Sequence, residues 1–173
     1  MNSEERSVTL TMITEPRQAN MFGTIHGGEV MRFMDTTAGC TAIKYAKKNC
    51  VTASVDEFRF LKPVHIGKFV TCKGVVVYTG ETSIEVHVTL DTEDIRDNQS
   101  KDRAIEAFFT YVAVDENGRP TSVPPYIPET DQEKELYEHV KTRRIFDRER
   151  LEEARRRMAE KTNNDLQNGE TAK

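Results

Sequence analysis

Val30, Met34, Ala38, Thr41 and Tyr45 recur at helical spacing, and Met31, Asp35, Ala38 and Ala42 form a second stripe beside them. A helix over roughly Gly28–Ala46 that is apolar on so wide a face is stable only if something wraps around it. The flanking sequence supplies the wrapping. Val8, Leu10 and Met12 alternate with Ser and Thr, while Ile84, Val86, Val88 and Leu90 alternate with Glu85, His87 and Thr89, the period of half-buried strands. Val51–Leu61, Phe69–Tyr78 and Ile105–Val114 add three runs rich in β-branched and aromatic residues. The expectation is one α+β unit of five strands around one long central helix, since no repeat with a period of about 20–50 residues is visible.

After this unit the character of the chain changes. Pro120, Pro124, Pro125 and Pro128 break regular structure, and Glu129–Lys161 then holds ten acidic and ten basic residues. Val140, Leu151, Ala154 and Met158 form only a thin apolar stripe there, so the reading is a charged C-terminal helical extension that needs another surface to lean on. Leu136, Val140, Phe146, Leu151 and Met158 are the residues expected to dock on the main unit or on a neighbouring copy. Beyond Lys161 the polar run TNNDLQNGETAK has little apolar surface to offset ordering entropy and is read as disordered. The expected division is residues 1–127, 128–161 and 162–173.

Charge and composition exclude several functions. With 25 Lys and Arg against 29 Asp and Glu in 173 residues, the chain has no positive field to hold a nucleic-acid backbone or an anionic membrane. No apolar run approaches the ~20 residues of a membrane span. Glu4, Glu5 and Arg6 stand where a signal peptide would need apolar residues, so a cytoplasmic protein is expected. Cys40, Cys50 and Cys72 are odd in number and lack CxxC or Cys/His ligand spacing; reduced core thiols are expected, with no structural zinc.

The segment NMFGTIHGGEVMRFMD, from Asn20 to Asp35, gathers the chemistry. Gly27 and Gly28 open the helix, where unpaired N–H groups and the positive dipole end can receive a polarised carbonyl. Asp35 lies on the apolar stripe, where a carboxylate is costly unless it meets an arginine or a hydroxyl such as that of Thr36. His26, directly before the glycines, reads either as a loop hydrogen-bonding residue or as a proton carrier. Eight residues separate Gly27 from Asp35, about 12 Å along a helix at 1.5 Å per residue. They cannot both touch one carbonyl of one substrate within one chain. If both serve the same carbon, Gly27 comes from one protomer and Asp35 from another across a twofold axis.

In its order of motifs the chain resembles the hot-dog-fold acyl-CoA thioesterases, in particular the bacterial and brain-type acyl-CoA hydrolase branch. The likeness runs from about Val8 to Pro124: the Asn20–Asp35 segment, then VTASVDEFRFLKPVHIGKFV, a TGETS strand turn, and FFTYVAVDENGRP. The resemblance implies a five-stranded antiparallel sheet wrapped around the helix, a dimer with a continuous sheet, and commonly a trimer of dimers. It carries functional roles to Asn20, Gly27 and Asp35, with His26 supporting the loop. Brain-type members fuse two such domains where this chain has one, so two identical sites per dimer are expected. For the charged tail after Pro128 the resemblance gives little guidance.

On that footing the expected reaction is hydrolysis of an acyl-CoA thioester, with no cofactor because coenzyme A belongs to the substrate and product. Gly27 N–H would donate to the carbonyl oxygen, Asp35 of the partner would attack the carbon or activate a water, and Asn20 would orient that water or the thioester. Gly28, Arg59, Lys62, Gly80, Thr82 and Ser83 are candidates to meet coenzyme A, the cations through its phosphates. Two other readings are weighed against this one: a hot-dog hydratase or dehydratase, and a non-enzymatic acyl-CoA or nucleotide sensor. The sensor has no use for an acid at Asp35. No GxxxxGK[ST], strand-borne GxGxxG or GxSxG motif is present, and Cys40 has no nearby His to make it a nucleophile.

Overall fold

The axis of the fold is α1, Gly27–Ala46. The computed structural model describes residues 3–94 and 101–170. α1 starts one residue earlier than the spacing predicts, because His26 takes the N-cap position; Lys47 closes it in the left-handed conformation at φ 53°. Val30, Met34, Ala38, Ala42, Tyr45 and Ala46 are buried along one face, as the stripe requires. Each large side chain among them contributes roughly 1.5–3 kcal/mol of burial. Thr37 and Thr41 are buried on the same face, and their hydroxyls donate to the carbonyls of Phe33 and Thr37, at 2.9 and 2.7 Å. No buried polar atom is left unsatisfied by placing them there.

Five antiparallel strands wrap this helix, which packs against every one of them. They are β1 (Ser7–Ile13), β2 (Asn49–Phe60), β3 (Phe69–Thr79), β4 (Ser83–Glu93) and β5 (Asp102–Val114), in the spatial order β1-β3-β4-β5-β2. A sheet curled about one central helix is the hot-dog arrangement. Gly74 of β3 marks the closest approach of sheet to helix, since a Cβ there would collide with Thr41 Oγ1 and press on the Thr37 carbonyl. β4 departs from the half-buried pattern: Glu85 and Thr89, expected to face water, are 1% and 9% exposed, and the Thr110 hydroxyl donates to Glu85 at 2.7 Å. Alternation identifies the apolar face of a strand and is silent on whether the polar face is also covered.

β2 lies at one edge of the sheet and pairs with β5 alone. Its register slips between Thr52 and Ser54 and again between Asp56 and Arg59, where Glu57 adopts φ 51°. These irregularities bend the strand and re-aim its last residues. β2 exposes Val51, Val55 and Phe60, a concentration of apolar surface that isolated edge strands avoid.

The chain divides into two units, Met1–Ile127 and Pro128–Lys173. In the first, the segment after β5 turns at Asp115, whose carboxylate accepts from the N–H groups of Asn117 and Arg119, and Tyr126 N–H then donates to Thr79 Oγ1 at 2.7 Å. The second contains α2, Asp131–Glu170. Thr130 and Glu133 cap its start reciprocally: Glu133 N–H donates to Thr130 Oγ1 at 3.2 Å and Thr130 N–H to Glu133 Oε2 at 3.0 Å. Pairs such as Glu153–Arg157, 2.5 Å apart, line its surface, each worth a few tenths of a kcal/mol at about 0.3–0.5. α2 as described runs past Lys161 to Glu170, and residues 171–173 of the segment expected to be disordered lie outside the described residues. Among the described residues no helix is long and apolar enough to cross a membrane.

Gly74→Ala should destabilise the fold by about 1–3 kcal/mol, since neither the β3 backbone nor the Thr41–Thr37 pair can withdraw without loss. A lower urea midpoint at unchanged slope is the expected result.

Candidate functional site

The loop before α1 is built by Asn20. Its Oδ1 accepts from the N–H groups of Phe22 (2.9 Å) and Thr24 (3.3 Å), and its Nδ2 donates to Thr24 Oγ1 (2.8 Å) and to the Ile25 carbonyl (3.4 Å). Gly23, at φ +75°, makes the turn that these bonds close. Asn20 thus braces the loop with both ends of its amide, a role beside the expected one of orienting the water or the thioester. Ile25 N–H then donates to the Val64 carbonyl at 2.8 Å, tying the loop to the β2–β3 connection.

His26 caps α1. Its Nδ1 accepts from Gly28 N–H at 3.1 Å, which requires that nitrogen to carry no proton, and its carbonyl accepts from Glu29 and Val30. A Cβ on Gly28 would sit 3.3 Å from Nδ1 and crowd this cap. With Gly28 occupied, Gly27 N–H is left with no acceptor among the described residues. Gly27 lines a cleft of about 320 Å³ together with Asn20, Phe60, Lys62 and Ile105. A Cβ on Gly27 would lie 3.4 Å from the Phe60 ring, so the bare backbone leaves the approach open.

Asp35 is not in that cleft. It is half-buried two turns along α1, and its Oδ1 accepts from Thr52 Oγ1 at 3.0 Å and from the Tyr111 hydroxyl at 2.7 Å. The Tyr111 hydroxyl is also 2.8 Å from the Asp35 carbonyl oxygen. Burial pushes the Tyr111 phenol well above its ordinary range, and the neighbouring Asp35 carboxylate adds to the shift, so the hydroxyl remains a donor. Asp35 Oδ2 has no partner among the described residues. Thr36, the hydroxyl the sequence pointed to, instead donates to the Arg32 carbonyl. Thr52 and Tyr111 were missed: both stand in segments that carry the family resemblance, but strand alternation does not say which threonine or tyrosine faces a carboxylate.

The coenzyme A candidates do not converge within one chain. Lys62 lines the cleft and pairs with Asp102 at 2.8 Å. Arg59 is paired with Glu57 at 2.8 Å and Glu106 at 3.4 Å and, unlike Lys62, does not line the cleft. Gly80, Thr82 and Ser83 form the β3–β4 turn, and Ser83 pairs with Val112, seven residues up β5 from Ile105 and so ~23 Å from the cleft at 3.3 Å per residue. The thiols also differ from expectation in one case. Cys72 is a core residue whose burial pushes it up to about 11, but Cys40 is exposed on α1. Among the described residues no group of three His, Cys, Asp or Glu could hold a metal ion.

A helix wrapped by one antiparallel sheet defines a hot-dog protein. The thioesterase superfamily profile matches residues 22–98. The chain is 37% identical over 149 residues to the cytosolic acyl coenzyme A thioester hydrolase of Rattus norvegicus, an alignment covering 83% of this chain and 39% of that one. It thus spans about two fifths of that relative's length. An apo hexameric acyl-CoA thioesterase superposes with a TM-score of 0.82 at 35% identity, covering 87% of this chain and 96% of that one. The acyl-CoA hydrolase of Staphylococcus aureus, solved with butyryl coenzyme A, coenzyme A and coenzyme A disulfide, superposes with a TM-score of 0.74 at 34% identity over 87% and 95%. That hydrolase has also been solved with an asparagine, an aspartate and a threonine each replaced by alanine, positions successively 15 and 17 residues apart. The chain belongs to the thioesterase superfamily, among its acyl-CoA thioester hydrolases.

His26→Ala should lower stability by about 1 kcal/mol through loss of the cap, while His26→Asn should stay within a few tenths because asparagine is itself a strong N-cap. Thermal denaturation of the two variants side by side reads the difference.

Proposed function

We propose that the chain hydrolyses acyl-CoA thioesters to a free acid and coenzyme A, in the cytosol, as a homo-oligomer whose dimer carries two shared sites. The observation that carries this reading is the arrangement along α1: an unbonded N–H on Gly27, which lines a cleft, and ~12 Å away a carboxylate with one free oxygen. Each is half of a thioesterase site, and neither half is complete in one chain. β2 supplies a means of joining them, because its unpaired edge and its exposed Val51, Val55 and Phe60 fit the β2 strand of a second copy. The hexameric state of the similar thioesterase supports three such dimers together. Likeness to the rat cytosolic enzyme supports the location.

In this mechanism Gly27 N–H donates to the thioester carbonyl oxygen, with the positive end of α1 behind it, so charge developing on that oxygen meets a donor already in place. Asp35 of the partner subunit attacks the carbon or draws a proton from the attacking water. Asn20 holds the loop that presents Gly27, and Thr52 holds Asp35. The separations of Asn20 from Asp35 and of Asp35 from Thr52, 15 and 17 residues, equal those of the three residues replaced in the Staphylococcus aureus hydrolase, which supports these three positions. Lys62, at the cleft, is the cation assigned to the phosphates of coenzyme A. His26 caps α1 through Nδ1, whereas a hydratase would use Nε2 as the proton carrier, so the two readings are separated by the His26→Asn variant and not by the cap itself.

Asp35→Asn should abolish thiol release from butyryl-CoA while leaving fold and assembly intact; near-wild-type turnover would end the mechanism. His26→Asn, which keeps the cap, should retain most hydrolysis, and complete loss with an intact fold would favour dehydration chemistry. Mixed dimers of Asp35→Asn and Asn20→Ala chains gather both lesions in one site and leave the other site whole. Co-refolded mixtures should therefore recover up to half the activity of those mixed dimers' sites. No gain over either variant alone, once mass spectrometry has shown mixed assembly, would refute the shared site.

A further inference from the structure

A carboxylate on a flexible stem presents two equivalent oxygens and turns freely about its terminal torsion. Asp35 does neither. Thr52 on β2 and Tyr111 on β5 are register partners, directly opposite each other on neighbouring strands, and both hydroxyls reach Oδ1, at 3.0 and 2.7 Å. Oδ2 receives nothing among the described residues. The two donors come from different strands, so the carboxylate is fixed to the sheet as well as to its own helix. Tyr111 is itself held in place: it is 3% exposed, and its ring lies over Gly39, where a Cβ would come within 3.2 Å of the hydroxyl. Gly39, one turn after Asp35, is the residue that lets the phenol pass beneath the helix.

We propose that Tyr111 is a positioning residue for the hydrolysis assigned above, holding Oδ1 of Asp35 together with Thr52 so that Oδ2 alone faces the thioester. The inference rests on that functional reading and extends it to a residue that touches no substrate. A buried phenol needs some acceptor, and the Asp35 carbonyl oxygen at 2.8 Å would satisfy it. The single hydroxyl hydrogen lies within reach of both oxygens, and its contact with the carboxylate is the one that bears on reactivity.

Tyr111→Phe keeps the ring and removes the hydroxyl. With butyryl-CoA as substrate, kcat should fall about 10- to 100-fold with KM nearly unchanged, the scale of a small misplacement of a reacting group. Thr52→Val should behave the same way, and because losing either donor frees the same torsion, the double variant should lose less than the product of the single losses. Gly39→Ala approaches the hydroxyl from the other side. Alanine favours the helix, so this variant should fold, and its kcat should fall as the phenol is pushed away. In protein labelled with [4-13C]aspartate, the carboxyl signal that vanishes in Asp35→Asn should move in Tyr111→Phe. Wild-type protein inactive on acyl-CoA of every chain length would overturn the functional reading, and the labelled signal then still judges Tyr111. A wild-type kcat in Tyr111→Phe, losses that multiply, or an unmoved carboxyl signal would overturn the positioning role.

Discussion

The rise of one helix governs this molecule. Gly27 and Asp35 are on α1, and a rigid helix sets them ~12 Å apart whatever the rest of the chain does. On the proposed mechanism the separation divides the chemistry into an electrophile-binding half at the helix start and a carboxylate half on the helix flank. A protein can bring such halves together only by importing one of them. The exposed β2 edge makes a second copy the natural source, since pairing two edge strands satisfies backbone groups and covers apolar side chains in one step. On the proposed mechanism catalysis and assembly would be one problem: the edge that would be a hazard in a monomer would be the element that completes the site.

The helix and the five strands were legible because their signals are periodic. Val30, Met34, Ala38 and Tyr45 had to face inward together, and each strand announced itself by alternation or by β-branched density. What periodicity does not carry is the second face of a strand, as buried Glu85 shows, or the state of residues 162–170, where composition and backbone geometry point opposite ways. The glycine pair and the acid were also legible, because their residue types are costly unless used. Their partners were not. Yet Thr52 was within reach of simple geometry. Asp35 lies twelve residues before Lys47, about 18 Å of helix, and Thr52 five residues after it, about 17 Å of strand. A helix and strand returning on each other through a tight turn place those two residues side by side.

The loop ahead of α1 shows how much structure is devoted to leaving one group unbonded. Asn20 closes the turn, Ile25 ties it to Val64, and His26 takes up Gly28 N–H and presents its carbonyl to Glu29 and Val30. Each bond satisfies a group that would otherwise compete for the same space, and Gly27 N–H is what remains. An unsatisfied donor at the lip of a cleft is tolerable because water reaches it. It is also poised for any acceptor that displaces that water. The donor is defined by its neighbours' bonds, so its position is as rigid as the cap.

Asp35 shows the same logic with the signs reversed. An acid withdrawn from solvent is often met by an arginine, whereas Asp35 is half-buried; a guanidinium fork would engage both oxygens and neutralise the charge. Two hydroxyls from opposite strands do something different: they stabilise the anion through one oxygen and bring no positive charge to the other. Thr52 and Tyr111 are neutral, and burial keeps the phenol un-ionised, so the donors do not disappear as the solution turns mildly alkaline. The carboxylate is therefore held at one oxygen and left open at the other. For a group that must attack a carbon or draw a proton from water, that combination is worth more than a salt bridge, because an ion pair strong enough to secure the acid would also have occupied the oxygen it needs.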